Sequence, residues 1–186
     1  MLFVTTNKHK VDRANAELEK YGISVVHKAF EMQEMQISNG EQIVRCKAQQ
    51  AFERFQQPLL VNDDFWKITA LRGFPGVNMK QCNDYLVGED WLRLMQGIEN
   101  REVIKEMYYC VVDQQGKMTT VVGQHTYEML QEVRGVCMRG PVLTVIAQPG
   151  STTSIAEDMK NNLWNEQKDD LYERLAKAIQ DSTTNE

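Results

Sequence analysis

The first 61 residues alternate short apolar runs with amphipathic ones, and that alternation restricts the chain to an α/β architecture. Residues 2–5 read as a buried strand. Residues 8–21 read as a helix, with Val11, Ala14, Leu18 and Tyr21 on one face and Gly22 at the stop. Ile23 to Val26 has the character of a second strand. Ser38-Asn39-Gly40-Glu41 has capping-box spacing and opens a helix to about Gln57, with Ile43, Cys46 or Lys47, Ala51 and Phe55 near one stripe. Pro58 punctuates, and Leu59 to Val61 returns to strand.

Beyond that point the pattern predicts a strand over Lys67–Leu71, a turn at Gly73-Phe74-Pro75-Gly76, and a short helix over Glu89–Gln96 with Trp91, Leu92 and Met95 inward. Met107–Asp113 and Met118–Val122 flank Gln114-Gln115-Gly116-Lys117 as a β-hairpin. Thr126–Val133 and Val142–Ala147 read as further strands, and Gln148-Pro149-Gly150-Ser151 as a loop. A last helix over about Glu166–Ile179 buries Leu171, Leu175 and Ile179, and Asp181–Glu186 forms a tail. No repeat, low-complexity tract or linker interrupts the chain, so residues 1–186 are expected to form one domain.

Composition narrows the function. The formal net charge of −5 argues against a broad nucleic-acid face, which needs excess positive charge, but leaves room for one nucleotide in a local cationic pocket. No apolar run reaches the length of a membrane span. The opening MLFVTTNKHK lacks the pattern of a secretory leader, so the cytoplasm is the expected compartment. Cys46, Cys82, Cys110 and Cys137 form no C-x-x-C pair, and three histidines do not complete a zinc site of the usual spacing. They read as reduced thiols. His9, His27 and His125 have no serine or cysteine partner in sequence, so nucleophilic catalysis has no support.

Two distant stretches carry chemistry. Phe3-Val4-Thr5-Thr6-Asn7-Lys8-His9-Lys10 runs from a strand through a polar turn into a helix, whose free N–H groups and positive dipole end suit phosphate; Thr5, Asn7 and Lys10 add donors. Leu59-Leu60-Val61-Asn62-Asp63-Asp64 is an apolar strand read as ending on carboxylates, where open α/β sheets bind ligands and where a hard cation such as Mg²⁺ finds oxygen. Each stretch also has an ordinary explanation: an N-cap before a solvated helix, and a strand-ending turn. Glu31 and Glu34 lie in a polar loop that offers a second metal carboxylate if it folds back over Asp63. Neither a P-loop nor a dinucleotide fingerprint is present.

The co-occurrence of these motifs resembles the inosine/xanthosine triphosphate pyrophosphatase family. That family opens with T-G-N-x-x-K, here Thr5-Thr6-Asn7-Lys8-His9-Lys10. It continues with a loop Glu (Glu34), a helical Lys-Ala pair (Lys47-Ala48), D-D or E-D after an apolar strand (Asn62-Asp63), and A-L-x-G-x-P-G (Ala70-Leu71-Arg72-Gly73-Phe74-Pro75-Gly76). Lys80, Ala156-Glu157 and Lys168 follow in the family's order. The departures fall in both halves. The F-G-Y/W-D-P base loop corresponds to Gly140-Pro141-Val142-Leu143-Thr144, and S-H-R reads Tyr172-Glu173-Arg174. In the first half, Thr6 replaces a Gly, Asn62 replaces an acid, with Asp64 as a nearby substitute carboxylate, and Asp64-Phe65-Trp66 replaces small residues.

The resemblance implies an elongated two-lobed α/β fold, with a twisted mixed β-sheet flanked by helices and a central substrate cleft, usually as a homodimer. It implies Mg²⁺-dependent hydrolysis of a nucleoside triphosphate to the monophosphate and pyrophosphate. Thr5, Asn7, Lys10 and Lys47 would hold phosphates. Glu34 and Asp63 would hold the metal, with Asp63 orienting or activating water. Lys80, Lys168 and Arg174 would also contact the nucleotide, the last two at its base or sugar end. Glu173 in place of a His puts an acceptor where the family has a donor, so altered base selectivity is expected. The rival readings are a pyrophosphatase for a modified or pyrimidine nucleotide, and a nucleotide-binding protein that has lost turnover. The septum-inhibitor-like pyrophosphatases, which open with S-x-x-R-R, fit Asn7-x-x-Lys10 poorly.

Overall fold

The computed structural model describes residues 1–33, 35, 37–138 and 140–183. Two βα steps come first, as the alternation requires: β1 (Leu2–Val4), α1 (Lys8–Leu18), β2 (Val26–Lys28), α2 (Gly40–Phe55) and β3 (Leu59–Ile68). Then come β4 (Pro75–Gly76), α3 (Met79–Tyr85), α4 (Gly88–Leu94), β5 (Glu102–Val112), β6 (Met118–Met129), β7 (Ile146–Ala147), α5 (Ile155–Lys160) and α6 (Leu171–Thr183). The strands form one mixed sheet in the order β2-β1-β3-β5-β6-β7, with β4 on the far part of β3. β1 runs parallel to both neighbours, with Leu2 beside Val26 and Leu59, and Phe3 beside His27 and Leu60.

The chain divides into two compact units. The first comprises Met1–Asp64, Met107–Gly123 and the segment from Asp169; the second comprises Phe65–Glu106 and Gln124–Lys168. β3, β5 and β6 pass through both.

In the first unit the sheet is covered on both faces. Phe3 and Leu60 point to the side of α1 and α6, where Val11, Ala14, Leu18, Leu171, Leu175 and Ile179 complete a core. Val4, Leu59 and Val61 point the other way, onto Val44, Ala48 and Ala51 of α2. This period-two alternation of β3 sets the site. α6 lies so close to β6 that a Cβ at Gly123 would come within 2.5 Å of Leu171. The second unit has its own core around Ile68, Trp91, Met95, Tyr127, Met129 and Ile146.

Several boundaries differ from the sequence reading, and each difference has a local cause. α2 is capped by Asn39, whose side chain accepts the Gln42 N–H, so Ser38 is not the cap. β3 does not end at Val61; it continues to Ile68 because Phe65 and Ile68 are themselves buried. Asn62-Asp63-Asp64 is therefore mid-strand, and the strand expected over Lys67–Leu71 becomes the end of β3 plus a 3₁₀ turn at Thr69–Leu71. β6 is one continuous strand where two were expected. Pro141–Thr144 is a 3₁₀ turn, leaving only Ile146–Ala147 as strand. α5 went unread, although Ser154 and Glu157 form a reciprocal capping box. α6 starts at Leu171, with Leu171, Leu175 and Ile179 buried as expected.

Candidate active site

The parallel register of β1 and β3 brings the two motifs together. Thr5 to Asn7 leave β1 next to the point where β3 passes through Asn62–Asp64. Thr5 is buried, and its hydroxyl accepts the Asn7 N–H at 3.1 Å. Asn7 caps α1 by accepting the His9 N–H at 3.0 Å. That turn sets Lys10 on the first turn of α1, where its Nζ lies 3.9 Å from Asp63 Oδ1. Lys47, midway along α2, reaches Asp63 Oδ2 at 2.6 Å. The buried Ala48 beside it anchors that turn of the helix, and its long stem carries the ammonium to the carboxylate. Lysines from two helices thus converge on one carboxylate.

Asp63 and Asp64 do not share a face. Alternation turns Asp63 toward α2 and Asp64 toward α1, where Arg13 Nη2 meets Asp64 Oδ2 at 3.3 Å. Asn62, on the Asp64 side, donates from Nδ2 to Asp64 Oδ1 at 2.8 Å and to the Tyr108 carbonyl at 3.1 Å. Asn62 is 5% exposed. A carboxylate there would be deprived of water and set against Asp64, whereas an amide donates to it. Asp64 thus meets Asn62 and Arg13 on the face of β3 opposite the one on which Asp63 meets Lys47. Arg13 also reaches toward Tyr109, whose hydroxyl lies 3.1 Å from that of Tyr172. Burial pushes the Tyr109 hydroxyl above its usual pKa against the opposing pull of Arg13. Sequence reasoning missed Arg13; its position three residues beyond Lys10, on the same helix face, was the available signal.

The remaining expected residues are Glu34, Lys80, Lys168 and Arg174. Glu34 is outside the described residues. Lys80 is exposed on α3, and Lys168 is exposed just before α6; both belong to the second unit. Arg174 is in the first unit, where it donates to the Val122 carbonyl at 2.9 Å and pairs with Asp170 at 2.9 Å. Tyr172 is buried and Glu173 exposed. In the second unit, the counterpart of the base loop packs Val142 into the core instead of presenting an aromatic ring. All four cysteines are unpaired, and burial pushes the Cys110 thiol up to about 11, which keeps it inert.

Among the described residues no three His, Cys, Asp or Glu side chains cluster around a metal position. The donor at hand is the Asp63 carboxylate. That fits Mg²⁺, which takes one or two protein carboxylates and completes its shell with water and phosphate. No helix among the described residues is long and apolar enough to cross a membrane.

The sequence and the fold have counterparts. Residues 1–162 match the model of the Ham1 family. The chain belongs to the Ham1 family. A dITP/XTP pyrophosphatase of Ignicoccus hospitalis is 29% identical over 164 residues, 87% of each chain. One from Methanopyrus kandleri is 34% identical over 137 residues, 73% of this chain and 72% of the relative. The fold is that of a HAM1 protein from Coxiella burnetii, with a TM-score of 0.75 at 16% identity over 97% of this chain and 98% of that one. A dITP/XTP pyrophosphatase from Mycobacterium abscessus superposes with a TM-score of 0.68 at 17% identity, covering 99% and 96%. The Ham1 membership and the mixed α/β sheet are thus as the motifs implied.

Proposed function

We propose that this chain is a Mg²⁺-dependent nucleoside-triphosphate pyrophosphatase acting on deaminated-purine or other unusual triphosphates. The observation that carries the reading is the convergence of Lys10 and Lys47 on Asp63, in a Ham1 chain whose relatives include dITP/XTP pyrophosphatases. Phosphoryl chemistry needs charge neutralisation and in-line placement more than a special nucleophile, and this cluster supplies both signs of charge. Lys10, Lys47 and the Thr5–Asn7 turn hold the phosphates. Asp63, aided by Glu34 in this reading, holds the metal, which when bound neutralises phosphate charge. Asp63 also takes the proton of the attacking water. The water oxygen bonds to the α-phosphorus, the bond from that phosphorus to the bridging oxygen breaks, and pyrophosphate leaves. The assignment of Lys80 and Lys168 to the nucleotide rests on the family resemblance alone.

Base choice is proposed to be relaxed. The donors that would match a 6-oxo purine are replaced by Glu173 and by a base-loop counterpart folded into a core, while Arg174 is held by Val122 and Asp170. A homodimer working in the cytoplasm belongs to the same proposal, and light scattering of the purified protein tests the first part. The central test is pyrophosphate release from a panel of purine and pyrimidine triphosphates, with Mg²⁺ and with excess chelator. Release that needs the metal and differs little between inosine and adenosine triphosphates is expected. A strong preference for inosine triphosphate would overturn the relaxed base choice. Binding without release from any triphosphate would support a protein that has lost turnover.

A further inference from the structure

Lys47 and Asp63 hold each other in the positions where the proposed reaction needs them for other partners. Lys47 is the phosphate donor and Asp63 the cation ligand, yet their atoms meet at 2.6 Å. The second Asp63 oxygen accepts the Asp64 N–H at 3.1 Å and faces Lys10 at 3.9 Å. A dication approaching this carboxylate alone meets two ammonium groups. A polyphosphate approaching Lys47 alone meets the carboxylate. The side chains are 12% and 19% exposed, so water screens these repulsions only in part.

We propose that the Lys47–Asp63 ion pair couples the loading of cation and polyphosphate, so that each ligand binds well only when the other takes over its counterpart. This rests on the nucleotide reading above. Lys47 is fixed at its backbone by the buried turn of α2, and Asp63 by the middle of β3. The exchange therefore needs side-chain rotation and no rearrangement of either element. Linkage makes the coupling reciprocal: whatever factor polyphosphate adds to metal affinity, metal adds to polyphosphate affinity.

The test uses the whole protein, with Mn²⁺ followed by its spin resonance signal and tripolyphosphate followed by calorimetry. In the wild type, Mn²⁺ affinity rises on saturation with tripolyphosphate, after correction for their complex in solution, by about tenfold or more. Lys47→Met binds Mn²⁺ alone about tenfold tighter than the wild type does, and Asp63→Asn binds tripolyphosphate in chelator about tenfold tighter. Asp64→Asn removes the same charge without touching the partner of Lys47, and leaves metal-free tripolyphosphate affinity near the wild-type value. The proposal is overturned if the wild type shows no mutual enhancement, if the Lys47 and Asp63 variants bind as the wild type does, or if Asp64→Asn reproduces the gain. The wild-type measurement stands even if a variant does not fold. If no form binds tripolyphosphate under any condition, the nucleotide reading itself falls and the coupling falls with it.

Discussion

One lysine–carboxylate pair of the first unit, Lys47–Asp63, and one of the second, Lys105–Glu166, differ in what surrounds them. In the first unit, Lys47 and Asp63 stand with a second lysine, Lys10, close behind the carboxylate, so positive charge is in local excess among these three. In the second unit, Lys105 pairs with Glu166 and lies over the Trp66 ring, with its Nζ 5.7 Å from the centroid. Trp66 lies tilted against Tyr127 at 5.1 Å, Tyr127 stacks on Trp164 at 6.1 Å, and buried His125 lies 3.9 Å from Glu166. On the coupling proposed above, the first pair exchanges partners with an anion and a cation. The second is walled by aromatic rings and holds a core together. The same two functional groups thus do different work, because one is set among competing charges and the other among apolar rings.

The strongest way to break this contrast is Asp63→Asn. Removing the carboxylate is expected to cut pyrophosphate release by about 10²- to 10⁴-fold, the usual worth of a placed base. Turnover within a few-fold of the wild type would mean that Asp63 is structural, like Glu166. Stability separates the pairs next. Lys105→Met leaves Glu166 beside His125 and aromatic walls, and should cost about 2–4 kcal/mol in urea unfolding, somewhat below a fully buried pair because Glu166 retains some exposure. Lys47→Met in the same assay should cost less, about 1–2 kcal/mol, since Lys10 still faces the Asp63 carboxylate after the substitution. Equal costs would erase the distinction.

Lys10→Met sharpens the picture of the first unit. Loss of the more distant ammonium should raise the KM for triphosphate by about tenfold, or about 1.4 kcal/mol, with a smaller change in kcat. A modest effect is expected in the second unit. Ser154→Ala removes the cap of α5 and should cost about 1 kcal/mol. The Arg134 guanidinium, with help from the Ser154 backbone, holds the Glu157 carboxyl below the usual range. Its contribution is therefore present above the ordinary carboxylate pKa and is lost as pH falls through the lowered one. Melting temperatures measured from neutral to acidic pH should fall less steeply in Glu157→Gln than in the wild type.

Much of the site was legible in the sequence because its parts are short and local. The turn from Thr5 to Asn7 is a capping motif, and a helix follows it by simple periodicity, so a helix N-terminus beside a strand end is legible there. Asp63 was legible because an acid within an apolar strand is unusual in itself. The face on which each acid lies was not, because the reading ended β3 at Val61 and so treated Asn62, Asp63 and Asp64 as one turn. Only the burial of Phe65 and Ile68 carries the strand onward, and burial at those positions depends on what packs there. The 3₁₀ turn at Pro141–Thr144 was misread as strand for the same reason: apolar content alone does not separate a strand from a packed turn.

What the sequence determined by itself was the order of strands and helices in the first half, the two chemical motifs and the family to which they belong. All of these follow from contacts a few residues apart or from residue identity alone. What only the tertiary structure decided was which lysine meets which carboxylate. Lys10, Lys47 and Asp63 are brought together by the parallel pairing of β1 with β3 and by the packing of α1 and α2 on opposite faces of the sheet. Such pairings form between segments far apart in the chain, and their geometry is set by the shape of the cores between them, which no local pattern encodes.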